Sequence, residues 1–302
     1  MKKVWVHIAA LTSMFFWGFS YIWSKIVFET YSPLTTIFLR LVISTIFLFL
    51  YIYVSGLVEK IDKKDFGLFA VSALLNPFLY FLGENFGLSL VPASLSSIIV
   101  ATIPLFAPFA AYYFFKERLQ PVNLAGLILS FTGLLIIIVN KDFEITANPW
   151  GILFLFGAVF SAVFYSIVLK KLTFKYKPLT IITWQNLIGS VYFLPLFLVF
   201  EWKRFSAIIP DVDTVSSLLM LGIFASSVAY VLFAYIVNRL GVIKSSLYTN
   251  IIPVFTSLFA FFILGETFTN QKIIGMAVVI AGVFLSETGS RKKEKVIVTN
   301  DD

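Results

Sequence analysis

Long apolar stretches recur along this chain at lengths that match a lipid bilayer, and no other feature limits its fold so strongly. Crossing about 30 Å of hydrocarbon takes about 20 helical residues at roughly 1.5 Å each. Ten segments meet that length: roughly 4–28, 33–54, 67–88, 92–115, 121–140, 148–170, 178–200, 214–238, 242–264 and 270–287. The breaks between them carry proline, glycine, asparagine or charge, as in "YSP", "KERLQP" and "NKDFEITANP". Hydrophobic residues make up 59% of the 302 and charged residues 13%, against about 45–50% and about 25% in soluble domains. That much apolar side chain cannot be hidden from water, so the solvent must be lipid. The runs lack the polar alternation of a transmembrane β-barrel. The predicted fold class is an all-α integral membrane protein with ten transmembrane helices.

The opening run, "MKKVWVHIAALTSMFFWGFS", continues apolar for about twenty residues without a small-x-small cleavage site, and reads as an uncleaved first helix. Ten crossings place both termini on one side. Setting that side in the cytoplasm puts 17 of the 23 lysines and arginines in cytoplasmic segments. Only Lys141, Lys203, Arg204 and Lys272 fall outside, while Lys25 and Arg40 lie within spans. Positive charge gathers on the cytoplasmic side of membrane proteins. The expected placement is therefore a multi-pass protein of the cytoplasmic (inner) membrane with both termini inside. The net charge of +7 is accounted for in the same way, without nucleic acid as a partner.

The absence of cysteine removes disulfides, thiol catalysis and Cys-ligated metals. A single histidine, His7, gives no basis for a His-based metal site or triad. No phosphate-binding glycine loop occurs, so ATP is not expected as the direct energy source. Neither a cofactor nor a metal is expected.

The chain also repeats itself. Positions 96–133 match 245–282 without a gap at Ser96, Ser97, Ile103, Pro104, Phe106, Ala111, Glu117, Gly126 and Gly133, an offset of 149. The matches include the punctuation: a mid-helix proline, a glutamate ending the run, and two glycines seven apart. Earlier, "YSPLT" at Tyr31 recurs as "YKPLT" at Tyr176, and Lys25 pairs with Lys170, both at offset 145. Two halves follow, roughly 1–143 and 144–290, with 291–302 a charged cytoplasmic tail. Each half has five helices, an odd number, so the second must enter the membrane from the opposite side. Inverted repeats of this kind are common in secondary transporters, where they give two similar conformations open to opposite faces.

On these residues the chain resembles the EamA family of the drug/metabolite transporter superfamily, over essentially its whole length. The resemblance rests on the two fivefold repeats, on "WGFSYIWSK" at the end of helix 1, and on the Pro…Glu…Gly…Gly pattern of helices 4–5 and 9–10. It implies an inner-membrane exporter or permease for amino acids and other small metabolites, with a central cavity between the halves.

Several residues are candidates for that cavity. Pro104 and Pro253 fall near the middle of helices 4 and 9, where each should free the carbonyl four residues earlier, on Val100 and Thr249. Interrupted helices at corresponding places point to a binding site. Ser96, Ser97, Ser245, Ser246 and Asn250 lie within two turns of them. In helix 3, Asn76, Tyr80 and Glu84 are four apart and share a face. A carboxylate inside a span is costly and usually faces protein or a water-filled cavity. Glu84 could form a structural ion pair with Lys25 or Arg40, or could bind a substrate amine or a coupling proton. Trp17, Tyr21 and Lys25 share one face of helix 1, and an aromatic wall there suits amphipathic solutes. Tyr165, Trp184 and Tyr230 are weaker candidates. Glu117 and Glu266 are expected to cap the starts of helices 5 and 10. Gly126, Gly133, Gly275 and Gly282 are expected to let helices 5 and 10 approach a neighbour. His7 reads as an interfacial residue.

The function class predicted is a secondary transporter with a small-molecule substrate and the lipid bilayer as partners. Proton exchange and facilitated diffusion both stay open. A membrane-embedded enzyme would need a catalytic constellation at one depth, which one histidine and no cysteine do not supply. A receptor would be expected to carry a signalling domain, and the tail after Glu287 is short.

Overall fold

The computed structural model describes residues 2–106, 110, 121–138 and 147–298. Glu117 lies outside the described residues, as does the side chain of Ser246. All regular structure among them is helical. Six helices are long and apolar enough to cross a bilayer, at 22–31 residues each. They are α1 (Lys2–Phe28), α2 (Pro33–Val54), α3 (Lys63–Leu90), α6 (Pro149–Thr173), α7 (Pro178–Ala207) and α8 (212–240). The other expected segments hold shorter apolar helices: α4 (Ala93–Phe106), α5 (Pro121–Ile138), α9 (242–264), whose apolar part is Ile252–Leu264, and α10, whose apolar part is Asn270–Gly282.

The sequence punctuation sets the helix starts. Ser32 accepts from the Thr35 N–H at 3.1 Å ahead of Pro33. Asn148 accepts from the N–H groups of Trp150 and Gly151 ahead of Pro149. Asp211 accepts from the Thr214 N–H at 2.8 Å. Side-chain acceptors satisfy the first free donors of a helix, and proline fits the first turn because no N–H is needed there. Between α8 and α9 the chain reverses at Gly241, whose φ of 78° is in the left-handed region.

The two segments with a central proline do more than kink. Helix α4 runs through Ala93–Val100, breaks in a turn at 101–102, and restarts at Ile103. Helix α9 breaks at 250–251 and restarts at Ile252. The breaks are 149 residues apart, and each proline occupies the first turn of the second piece. Each proline therefore sits just after a two-residue turn rather than inside a continuous helix. Helices α3 and α8 share another irregularity. Each widens to i→i+5 bonding, over Leu74–Leu79 and Leu221–Val228, and the two segments end 149 residues apart. In α3, Asn76 leaves helical geometry beside Pro77, which has no N–H to donate.

Helix packing follows the repeat. Helix α3 packs on α6 and α1 on α8, α4 on α6 and α1 on α9, and α2 on α7. Helices α5 and α10 run antiparallel. A Cβ at Gly133 would sit 2.8 Å from the Gly275 carbonyl oxygen, and one at Gly282 would sit 2.7 Å from that of Gly126. The four glycines thus serve an intramolecular contact, and that contact is reciprocal: Gly126 and Gly275 are repeat equivalents, as are Gly133 and Gly282. Near the start of α3, Lys175 pairs with Asp62 at 2.5 Å and with Asp65, tying the loop after α2 to that after α6. These hydrogen bonds hold the Lys175 ammonium above its usual range.

Candidate functional site

A cavity of about 80 Å³ lies between the halves. Helix α1 contributes Trp17, Ser20 and Tyr21, and α2 contributes Arg40. Helix α3 contributes Asn76, Tyr80, Phe81 and Glu84, and α4 contributes Val100 and Ile103. From the second half come Ala162, Val163, Tyr165 and Ser166 on α6, and Tyr230, Phe233 and Val237 on α8. Val242, Ser245, Thr249 and Ile252 complete the wall from α9.

The lining repeats with the sequence. Adding 145 to Trp17, Ser20 and Tyr21 gives Ala162, Tyr165 and Ser166. Adding 149 to Phe81, Glu84, Val100 and Ile103 gives Tyr230, Phe233, Thr249 and Ile252. The charge does not repeat: Arg40 corresponds to Gln185, and Glu84 to Phe233.

Both charged residues are buried, Arg40 at 2% exposure and Glu84 at 8%. The Tyr80 hydroxyl donates to Glu84 Oε1 at 2.7 Å, one helical turn away on the same face. The Tyr21 hydroxyl, on the same cavity wall, is buried without a hydrogen-bond partner. Arg40 donates from Nε to Ser226 Oγ at 2.8 Å and lays its guanidinium 4.2 Å over the Phe81 ring. A cation over an aromatic face is attracted by the ring quadrupole, more strongly when desolvated. Behind it, Asn186 donates to Ser44 Oγ at 2.7 Å and to the Ser226 carbonyl at 2.9 Å, fixing the serine that holds Arg40. Asn76 Nδ2 donates to the Tyr230 hydroxyl at 3.3 Å, while its Oδ1 is buried without a partner. The wall therefore offers a carboxylate, a guanidinium, an amide oxygen and a phenol to anything that enters. Buried polar groups ordinarily have partners, so these are the atoms a bound solute or water would meet.

Trp17, Tyr21, Tyr80 and Glu84 thus converge on one cavity, together with Tyr165 and Tyr230. Ser97 does not reach it: buried in α4, it donates to the Ser94 carbonyl at 2.8 Å. Asn250 is buried in the α9 turn, away from the lining. Pro104 and Pro253 shape the restarts, and their neighbours Ile103 and Ile252 face the cavity. Trp184 lies edge-on to Phe49 and Phe66 elsewhere. The expected ion pair of Glu84 does not form: among the described residues no salt bridge within 4.0 Å involves it.

Glu266 does cap a helix start, but of α4 rather than α10. It accepts from the Ala93 N–H at 2.7 Å and from Ser94 Oγ at 2.5 Å. Nitrogen Nδ1 of His7, near the start of α1, meets the Tyr248 hydroxyl of α9. Ser20 and Ser166 were not singled out by local pattern. Carrying the α1 face across the repeat offset would have found Ser166.

A family model described as the EamA-like transporter family matches the chain twice, over residues 4–139 and 149–288. An uncharacterized transporter of Archaeoglobus fulgidus is 26% identical, covering 93% of this chain and 96% of its own. The uncharacterized transporter YoaV of Bacillus subtilis is 25% identical over 97% of this chain and 100% of its own. A chloroplastic WAT1-related protein of Arabidopsis thaliana, At3g02690, is 26% identical over 91% of this chain and 67% of its own. A crystal structure with 15% identity superposes with a TM-score of 0.70, covering 93% of this chain and 97% of that one, and so shares the fold. Apolar helices of membrane-spanning length, a twice-matched family model and relatives named as transporters agree: the chain is a multi-pass membrane transporter and belongs to the EamA-like transporter family.

Proposed function

We propose that the chain is a secondary transporter that carries small metabolites across the cytoplasmic membrane by alternating access, with amino acids as the first substrate class to test. The observation that carries this reading is the cavity wall, where corresponding residues of both halves surround one buried carboxylate and one buried guanidinium. Arg40 suits a carboxylate and Glu84 an ammonium, so a solute with both charges matches the pair. A volume of about 80 Å³ admits several waters at roughly 10–15 Å³ each. Larger solutes require the halves to part. Glu84 is assigned to bind the substrate amine or a coupling proton.

The reciprocal contact of α5 with α10 supports a two-fold relation between residues 1–143 and 144–290, as do the matched interruptions at 101–102 and 250–251. Ten crossings with one half inverted, both termini in the cytoplasm and 291–302 as a cytoplasmic tail complete the arrangement. Opening would be a rocking of one half against the other around the two interruptions. Export is the direction favoured by family analogy alone.

The test is transport by purified protein in vesicles, screened with labelled amino acids and related metabolites, with and without a pH gradient. Saturable movement that depends on the protein is expected. If intact protein moves none of these solutes, the substrate reading is wrong. Glu84→Gln should abolish proton-linked or amine transport at unchanged protein level, whereas unchanged transport would leave Glu84 a structural residue.

A further inference from the structure

A second concavity lies between α3 and α6, on the side away from the central cavity. It is an apolar groove of about 370 Å³, with Gly83 and Gly157 at its base and Leu75, Leu79, Phe154 and Phe160 along its walls. Leu79, Phe154 and Phe160 are 41–47% exposed on helices long and apolar enough to sit in a bilayer. The medium that reaches them is hydrocarbon rather than water.

The repeat supplies a comparison. Leu75 corresponds to Phe224 and Ser161 to Phe16, at offsets 149 and 145. At the equivalent interface, between α1 and α8, those two phenylalanines stack with ring centroids 4.9 Å apart. Between α3 and α6, Ser161 instead donates to the Leu75 carbonyl at 2.6 Å, and neither of these two positions carries a ring. Gly157 widens it further, because a Cβ there would meet nothing within 4 Å. One interface is therefore filled by the chain's own aromatic rings and its counterpart is left open. Walls without contact partners lose their dispersion attraction, so hydrocarbon from outside is favoured in that space.

We propose that this groove is a binding site for an acyl chain of a bilayer phospholipid. From Leu75 to Gly83 it extends about 12 Å along α3 at the rise of a helix, close to the roughly 15 Å depth of one leaflet. Asn76, Tyr80 and Glu84 lie on the other face of the same stretch of α3, so the bound chain rests one helix thickness from the central cavity.

The test uses the full chain in phosphatidylcholine vesicles containing a phospholipid with a mid-chain photoreactive diazirine, with labelled positions mapped by peptide mass spectrometry. Label is expected to concentrate on residues 75–83 and 153–164, above the comparably or more exposed Val254, Phe261 and Phe262 of α9. Gly157→Leu, which fills the groove from its base, should remove that label and leave the α9 label unchanged. Leu75→Phe combined with Ser161→Phe, which rebuilds the ring pair of the other interface, should do the same. Helix content by circular dichroism and a single elution peak establish that each variant is folded. Labelling spread evenly over all lipid-facing helices, or groove labelling that persists in both folded variants, would overturn the proposal.

Discussion

Gly133→Ala tests the close approach of α5 and α10, with Gly157→Ala as its matched control. The new Cβ at position 133 would lie 2.6 Å from the Val279 nitrogen and 2.8 Å from the Gly275 carbonyl oxygen, whereas ordinary contact begins at 3.4 Å. The helices would have to part by roughly 0.6–0.8 Å, and the obstructing atoms are backbone, which cannot rotate away. At Gly157 the same methyl enters open space. Both changes gain the same helix propensity, about 1 kcal/mol, so that term cancels in the comparison. What remains is the overpacking cost at position 133, about 1–3 kcal/mol. An unfolding titration in mixed micelles should therefore find the Gly133 variant less stable than the Gly157 variant by that amount. Equal stability, or the reverse order, would mean that α5 and α10 are not in backbone contact through these glycines.

Arg40→Met removes the charged donor to Ser226 and should cost about 1.5–3 kcal/mol; adding Glu84→Gln should recover part of it, and simple additivity of the two would show that their charges do not interact across the cavity. Single cysteines replacing Glu117 and Glu266, in this cysteine-free chain, should be labelled by impermeant reagents from opposite sides of the membrane; labelling of both from one side would end the inverted arrangement. Gly241→Ala forces a side chain into left-handed backbone and should cost about 1–3 kcal/mol in the same titration, with no loss if the turn can be remade.

Much of this architecture is legible in the sequence because lipid leaves few options. The Pro33, Pro149 and Pro178 starts follow from local chemistry alone. So does the shared face of Tyr80 and Glu84, which one helical turn separates. The central prolines were readable as interruptions but not in kind. A proline tolerated in the first turn of a helix is more stable there than mid-helix, so the chain turns for two residues and restarts around it. Glu266 shows the limit of local reading: its carboxylate finds the start of α4, 173 residues away from Ala93 in sequence, because tertiary packing brings that end within its reach. Ser97 stands outside the cavity lining for a related reason. Spacing gives the face of a regular helix, and the interruption at 101–102 leaves Val100 and Ile103 to line the cavity while Ser97 bonds within its own turn.

Although the scaffold is doubled, its ionic equipment is not: Arg40 and Glu84 both hang from the first half, opposite glutamine and phenylalanine. In the alternating-access cycle proposed above, cargo would meet the same pair of charges on one wall and a neutral surface on the other from either face. Cargo preference can therefore drift through changes in α2 and α3 alone. The two interruptions, to which the proposed cycle assigns the motion, and the glycine seam would be left untouched, so that chemistry and mechanics would evolve on separate parts of one molecule.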